Sequence, residues 1–211
     1  MTAQIPDTIH IEGTKHQLAT LPLTAFFGSA DPIPKLYDQP DAYHSLRHTA
    51  LWRGYVGHWG LADTALVLNR LCIWGKRHSG IEIAGIEFMP TLEADLTRIF
   101  PGRGEPVLAY WYSGLLQIPY GDKLYYAHIG FGGEHRYERR ITIENGYIVT
   151  DEMLDHTVRF LARFKTDSLD LDYPIVNGRA CGVEPLCWLT DEGRSLIKEK
   201  LGVSVKRRGE R

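Results

Sequence analysis

From Glu105 to Val149, the apolar positions are dominated by the aromatic and β-branched residues that favour strands. The run is interrupted at PYGDK (Pro119 to Lys123), GFGGE (Gly130 to Glu134) and ENG (Glu144 to Gly146), residue types suited to turns. The pattern predicts four successive strands here, and the rest of the chain is arranged around them. Thr8 to Leu18 reads as a hairpin, with Ile9 and Ile11 alternating with polar residues and Glu12-Gly13 at the turn. Ala19 to Ala50 loses the period and predicts an irregular segment, with at most one helical turn around Leu23 to Phe27. Trp52 to Trp59 and Thr64 to Ile73 predict two strands joined through GLAD, apolar at both parities and therefore covered on both faces. A further short strand is expected in His78 to Phe88.

Helical spacing enters in three places. Leu92, Leu96, Ile99 and Phe100 predict a helix capped by Thr91 and ended by Pro101-Gly102. Asp151 to Phe164 predicts a second, with Leu154, Val158 and Leu161 as its buried stripe and Met153, Phe160 and Phe164 widening it. Asp191 to Leu201 predicts a third, capped by Thr190 and stopped by Gly202. Hairpin turns dominate the connections, so the expected fold is α+β: an antiparallel, strongly curved sheet or partly closed β-barrel with two or three packed helices. The organisation expected is a β-rich core domain over residues 1–150 and a helical extension over 151–211 packed on it. Trp52, Trp111 and Leu116 are assigned to the core.

Composition narrows the class. A chain of 211 residues at 44% hydrophobic can bury a core without staples. The formal charge of −2 gives no overall basic field, which speaks against binding nucleic acid by phosphate neutralisation alone. Cys72, Cys181 and Cys187 are odd in number and read as thiols of a reducing compartment. No basic-then-apolar leader and no apolar run of about eighteen residues is present. A cytoplasmic protein without a membrane span is the expectation.

At WRGYVGHW (Trp52 to Trp59), WYSGLLQIPYG (Trp111 to Gly121) and YERRITIENG (Tyr137 to Gly146) the chain resembles a group of uncharacterised bacterial proteins sharing that ordered trio. The resemblance implies a bacterial or phage setting and one continuous β-rich unit over Leu51 to Val149. It implies no activity and assigns no catalytic residue.

Chemistry-bearing residues are plentiful but not in diagnostic spacing. The glycines of Gly130 to Gly133 precede a strand, not the helix a phosphate cradle needs. His44 and His48, the group His128, Glu134, His135 and Glu138, and Cys181 with Cys187 all lack a metal-site signature, so no metal or cofactor is expected. Ser113 has no nucleophile elbow, and Cys72 sits in an apolar strand. Strand parity is more informative. His135, Tyr137, Arg139, Ile141 and Ile143 share one face; Glu134, Arg136, Glu138, Arg140 and Thr142 share the other, which reads as a solvated, self-neutralising surface. Arg139, turned toward Tyr and Ile, needs either an internal carboxylate or a ligand anion.

The binding candidates are therefore Arg53, Tyr112, His128, Tyr137 and Arg139. No motif assigns a reaction. The leading expectation is a non-enzymatic binding or interaction protein with a protein partner, suited to toxin neutralisation or phage–host conflict. The alternative is a small-molecule enzyme or sensor that takes an anionic, phosphorylated or nucleotide ligand in a barrel-mouth pocket.

Overall fold

The computed structural model describes residues 3–28, 36, 49–73, 92–164, 175–176, 179–180, 187–202 and 204. The fold is α+β, with extensive β-structure and few helices. No helix among the described residues is long and apolar enough to cross a membrane. The expected strand in His78 to Phe88 and the candidate ligands His44, His48 and Cys181 lie outside the described residues.

The chain forms two compact units that interleave along the sequence. One comprises Met1–Gln4, Gln117–Arg140 and Glu152–Arg211; the other comprises Ile5–Leu116 and Ile141–Asp151. The second unit is considered first. Its hairpin β1 (Asp7–Ile11) and β2 (Thr14–Leu18) turns at Glu12 and Gly13, both at positive φ (52° and 78°). Helix α1 (Pro22–Phe27) takes Pro22 in its first turn, where the missing N–H costs nothing. Strands β3 (Tyr55–Ala62) and β4 (Ala65–Ile73) form the second expected hairpin, with Asp63 at positive φ in the turn. β1 pairs β3 in parallel, a departure from the antiparallel rule that the long connection between them permits. The other registered pairings are antiparallel.

Three expectations are corrected. Leu92 and Glu93 form a strand, β5 (Leu92–Glu93), on β4; the helical turn is only α2 (Leu96–Ile99), capped by Asp95 through the Thr97 N–H. PYGDK is no turn: after β6 (Val107–Leu108), strand β7 runs unbroken over Gly114–Ala127. Its partner β8 (Gly133–Glu144) is nearly as long, and β9 (Tyr147–Asp155) continues past the expected helix start to pair with it. The remaining helix of that stretch is α3 (Thr157–Ala162); Phe160 and Leu161 are buried as expected, but Val158 is 77% exposed and Met153 is also exposed.

In the second unit the strand order is β9-β4-β3-β1-β2, with β5 and β6 also on β4. Its core holds Ile9, Leu18, Leu23, Leu51, Tyr55, Trp59, Leu66, Leu68, Leu71 and Leu116. Trp111 is half-buried rather than sealed; it stacks on Phe100 (4.9 Å between centroids) and meets Phe26 and Trp59. Trp52, assigned to the core by sequence, is 67% exposed.

In the first unit, β10 (Ile175–Val176), β11 (Arg179–Ala180) and β12 (Cys187–Leu189) lead in sheet order to β7 and β8. Helix α4 (Asp191–Leu201) follows, capped as expected by the Thr190 hydroxyl accepting from Gly193 N (3.0 Å) and ended by Gly202 at φ 69°. Leu124, Phe160, Leu161, Leu189, Leu196 and Ile197 form its core.

Candidate functional site

The five sequence candidates are divided between the units: Arg53 and Tyr112 lie in one, His128, Tyr137 and Arg139 in the other. Arg53 is buried at 4% exposure, and its Nη2 donates to Asp7 Oδ1 (3.0 Å) and to the Ile5 carbonyl (2.7 Å). Asp7 also accepts from Gly57 N (3.0 Å) and Trp59 Nε1 (2.9 Å). Burial pushes the Asp7 carboxyl above its ordinary range, while Arg53, Trp59 and Gly57 pull it down by less. A fully buried carboxylate held this way is a structural bolt between β1 and β3. Gly57 has to be glycine: a Cβ there would stand 2.7 Å from Asp7 Oδ2. Asp7 escaped the sequence reading, although its parity with Ile9 and Ile11 places it on the buried face.

Tyr112 is also architectural. Its hydroxyl donates to the Leu115 carbonyl (2.9 Å), and its own carbonyl accepts from Gly146 N (2.9 Å). Ser113 Oγ accepts from Asn145 N (2.9 Å), so WYSG holds the ENG turn. Leu66 N in turn donates to the Gly146 carbonyl (2.8 Å). Two of the quoted motifs are thus one joint, and the other, through Arg53 and Trp59, is the Asp7 bolt.

In the other unit, His128 Nδ1 and Tyr126 Oη share a hydrogen bond (2.8 Å), and Lys123 stands over the Tyr126 ring. Tyr137 packs its ring on Gly121, where a Cβ would lie 2.9 Å from it. Arg139 is half-buried and engaged by neighbouring groups. The face of β8 expected to be solvated is half-buried. There Glu138 Oε1 accepts from Arg140 Nε (2.6 Å) and Gln117 Nε2 (3.4 Å), and Oε2 meets His156 Nε2 (3.3 Å). Burial pushes Glu138 up, but these partners together hold it below the ordinary range. Glu134 accepts from Arg163, and His135 bonds the Gly121 carbonyl. Among the described residues no group of three His, Cys, Asp or Glu side chains is placed to hold a metal. Burial raises the Cys72 thiol, which suits an inert core thiol.

One exposed surface among the described residues is apolar. On β9, Tyr147 is 52% and Val149 is 53% exposed, at alternate positions and so on one face of the strand. β4 pairs with β9 only at Ala65↔Tyr147, and Ile148 N donates to the Thr64 carbonyl. Tyr110, 41% exposed, has its backbone against the turn that precedes Tyr147: a Cβ at Gly146 would be 3.1 Å from Tyr110 N. Arg103 caps its ring at 4.4 Å. The sequence placed Val149 at the end of a strand and gave no sign of its exposure. No protein-family model, curated protein or solved structure matches the chain.

Proposed function

We propose that the chain is a binding protein whose partner is another protein, met through the surface built around Tyr147, Val149 and Tyr110. The observation that carries this reading is the exposure of Tyr147 and Val149 on one strand face, about half of each side chain lying in water. Aromatic and branched apolar side chains held rigid on a strand are inexpensive anchors, since little rotamer entropy remains to be lost on binding. The Arg103 guanidinium over Tyr110 supplies the polar rim such anchors need. The setting proposed is a bacterial or phage cytosol, where toxin neutralisation or phage–host conflict calls for this kind of recognition. The motif residues support the reading from the other side, because Arg53, Tyr112 and Ser113 are spent on holding the scaffold.

The test is site-specific photo-crosslinking in the producing cell. A photoreactive residue at Val149 is expected to trap one discrete protein species, and the same residue at the exposed Gln17 is expected not to trap it. Identical traps from both positions, or none from Val149, would reject the surface.

A further inference from the structure

A second surface of the Ile5–Leu116 unit is built differently. Asp7, Ile9 and Ile11 turn into the core, so Thr8 and His10 turn away from it. Register extends that outer face across four strands. Thr8 lies opposite Gln17 and His10 opposite Lys15 on β2; on β3, Thr8 faces His58 and His10 faces Gly60. His58 in turn lies opposite Arg70 on β4. The register then shifts, so that Trp59 pairs Leu68 and Asn69 becomes the extra residue of a β-bulge. Bulges re-aim side chains, and here Asn69 and Arg70, neighbours in sequence, are both exposed. Gly60 leaves room for the result: a Cβ there would lie 2.6 Å from Asn69 Nδ2.

The face is rich in donors, and its Lys15 and Arg70 cations are not neutralised by a described carboxylate. Lys15, His10 and Arg70 are exposed and enter no ion pair among the described residues. Thr8 Oγ1 and His58 Nδ1 share a hydrogen bond of 2.8 Å, which fixes the imidazole and leaves its Nε2 edge for another partner. We infer that this face binds a phosphate-type oxyanion carried by a small ligand, seated against the Asn69 amide that covers Gly60, between Lys15, His10, His58 and Arg70. A tetrahedral oxyanion offers acceptors in several directions and suits a guanidinium, an ammonium, imidazoles and the Asn69 amide converging from neighbouring strands. A single-stranded nucleic acid is less suited, because these positions provide no aromatic platform for bases.

His58 reports the field of this face. Burial first, then Arg70, Lys15 and His10, lower its pKa to about 4. Among the described residues a carboxylate also stands near the row, Glu93 on β5, which lies opposite Cys72 and acts on that thiol. An anion on the face offsets the cations and makes the imidazolium easier to form. Oxyanion binding and protonation of His58 must then strengthen each other.

Imidazole NMR of the full chain, titrated against pH in inorganic phosphate and in chloride at equal ionic strength, tests this. Phosphate is expected to raise the apparent pKa of His58 relative to chloride by about one unit, the size of a tenfold coupling. In the Lys15→Gln, Arg70→Gln double variant the starting value rises, because two cations are gone, and the phosphate-dependent increment disappears. Both positions are exposed, so Tm is expected to hold. Equal values in phosphate and chloride, or an increment that survives in the double variant, overturn the inference. A single-stranded oligonucleotide that outcompetes phosphate on the wild type but not on the double variant overturns the small-ligand assignment in favour of nucleic acid.

Discussion

Replacing Asp7 by alanine leaves the Arg53 guanidinium buried with its countercharge gone, and removes the acceptor for Gly57 N and Trp59 Nε1. Breaking a buried pair by deleting one partner costs about 3–5 kcal/mol, most of it the penalty of the stranded charge. Arg53→Ala is expected to cost a similar amount, and the double variant less than the sum, which chemical denaturation in a double-mutant cycle will show. A ligand-binding Arg53 would behave otherwise, with its alanine variant as stable as wild type. Trp111→Ala is expected to cost about 3 kcal/mol, the lower end for a large aromatic, because the ring is half-buried. At this scale the sequence was only partly legible. Parity put Ile141 and Ile143 in the core, where they are fully buried. The same parity made Glu138 a solvated residue, since alternation says which side a residue takes and not what covers that side.

Turn chemistry was the most readable feature of the elements. Glu12-Gly13 and Asn145-Gly146 both sit at positive φ in tight hairpins, where Gly, Asn and Asp are favoured. Gly146→Ala is expected to destabilise by roughly 1–3 kcal/mol, since φ there is 87° and the new Cβ would stand 2.9 Å from the Ala109 carbonyl carbon. Asn145→Gly, by contrast, is expected to be tolerated; equal losses from the two variants would contradict the account of the joint. The helices were read less well because short apolar stretches satisfy both periods. Leu92 and Glu93 had helical spacing but an open position beside β4, and Thr150 to Asp155 had a long strand, β8, to pair with. Pairing satisfies backbone groups that a marginal helix end would leave to solvent, so tertiary context overrode propensity. PYGDK failed as a turn because Gly121 at φ 69° absorbs the irregularity inside β7 and lets the Tyr137 ring close on it.

At the scale of the whole molecule, titration gives a pH profile with an assigned sign. The folded pKa of His58 lies near 4, below its ordinary 6.5, so its contribution to stability is present above pH 6.5 and is lost as pH falls toward 4. Glu138 is held below 4.5, so its contribution is present above that value and is lost at more acid pH. Asp7 acts in the opposite sense: its raised carboxyl favours folding most below pH 3.8. Thermal midpoints are expected to be level above pH 6.5 and to fall between 6.5 and 4, with the fall reduced in His58→Gln. A profile unchanged by His58→Gln would contradict the environment assigned to that residue. The α+β class was legible because it follows from many short-range signals acting together; surface exposure was not, because it depends on which strand faces other elements cover. The surface proposed to meet a partner is of that kind. With the species trapped at Val149 in hand as a purified protein, isothermal titration calorimetry of the full chain against its Tyr147→Lys variant tests that proposal directly. A loss of about 100-fold in Kd, near 2.7 kcal/mol, with Tm unchanged is the predicted result; an affinity equal to that of wild type would contradict it.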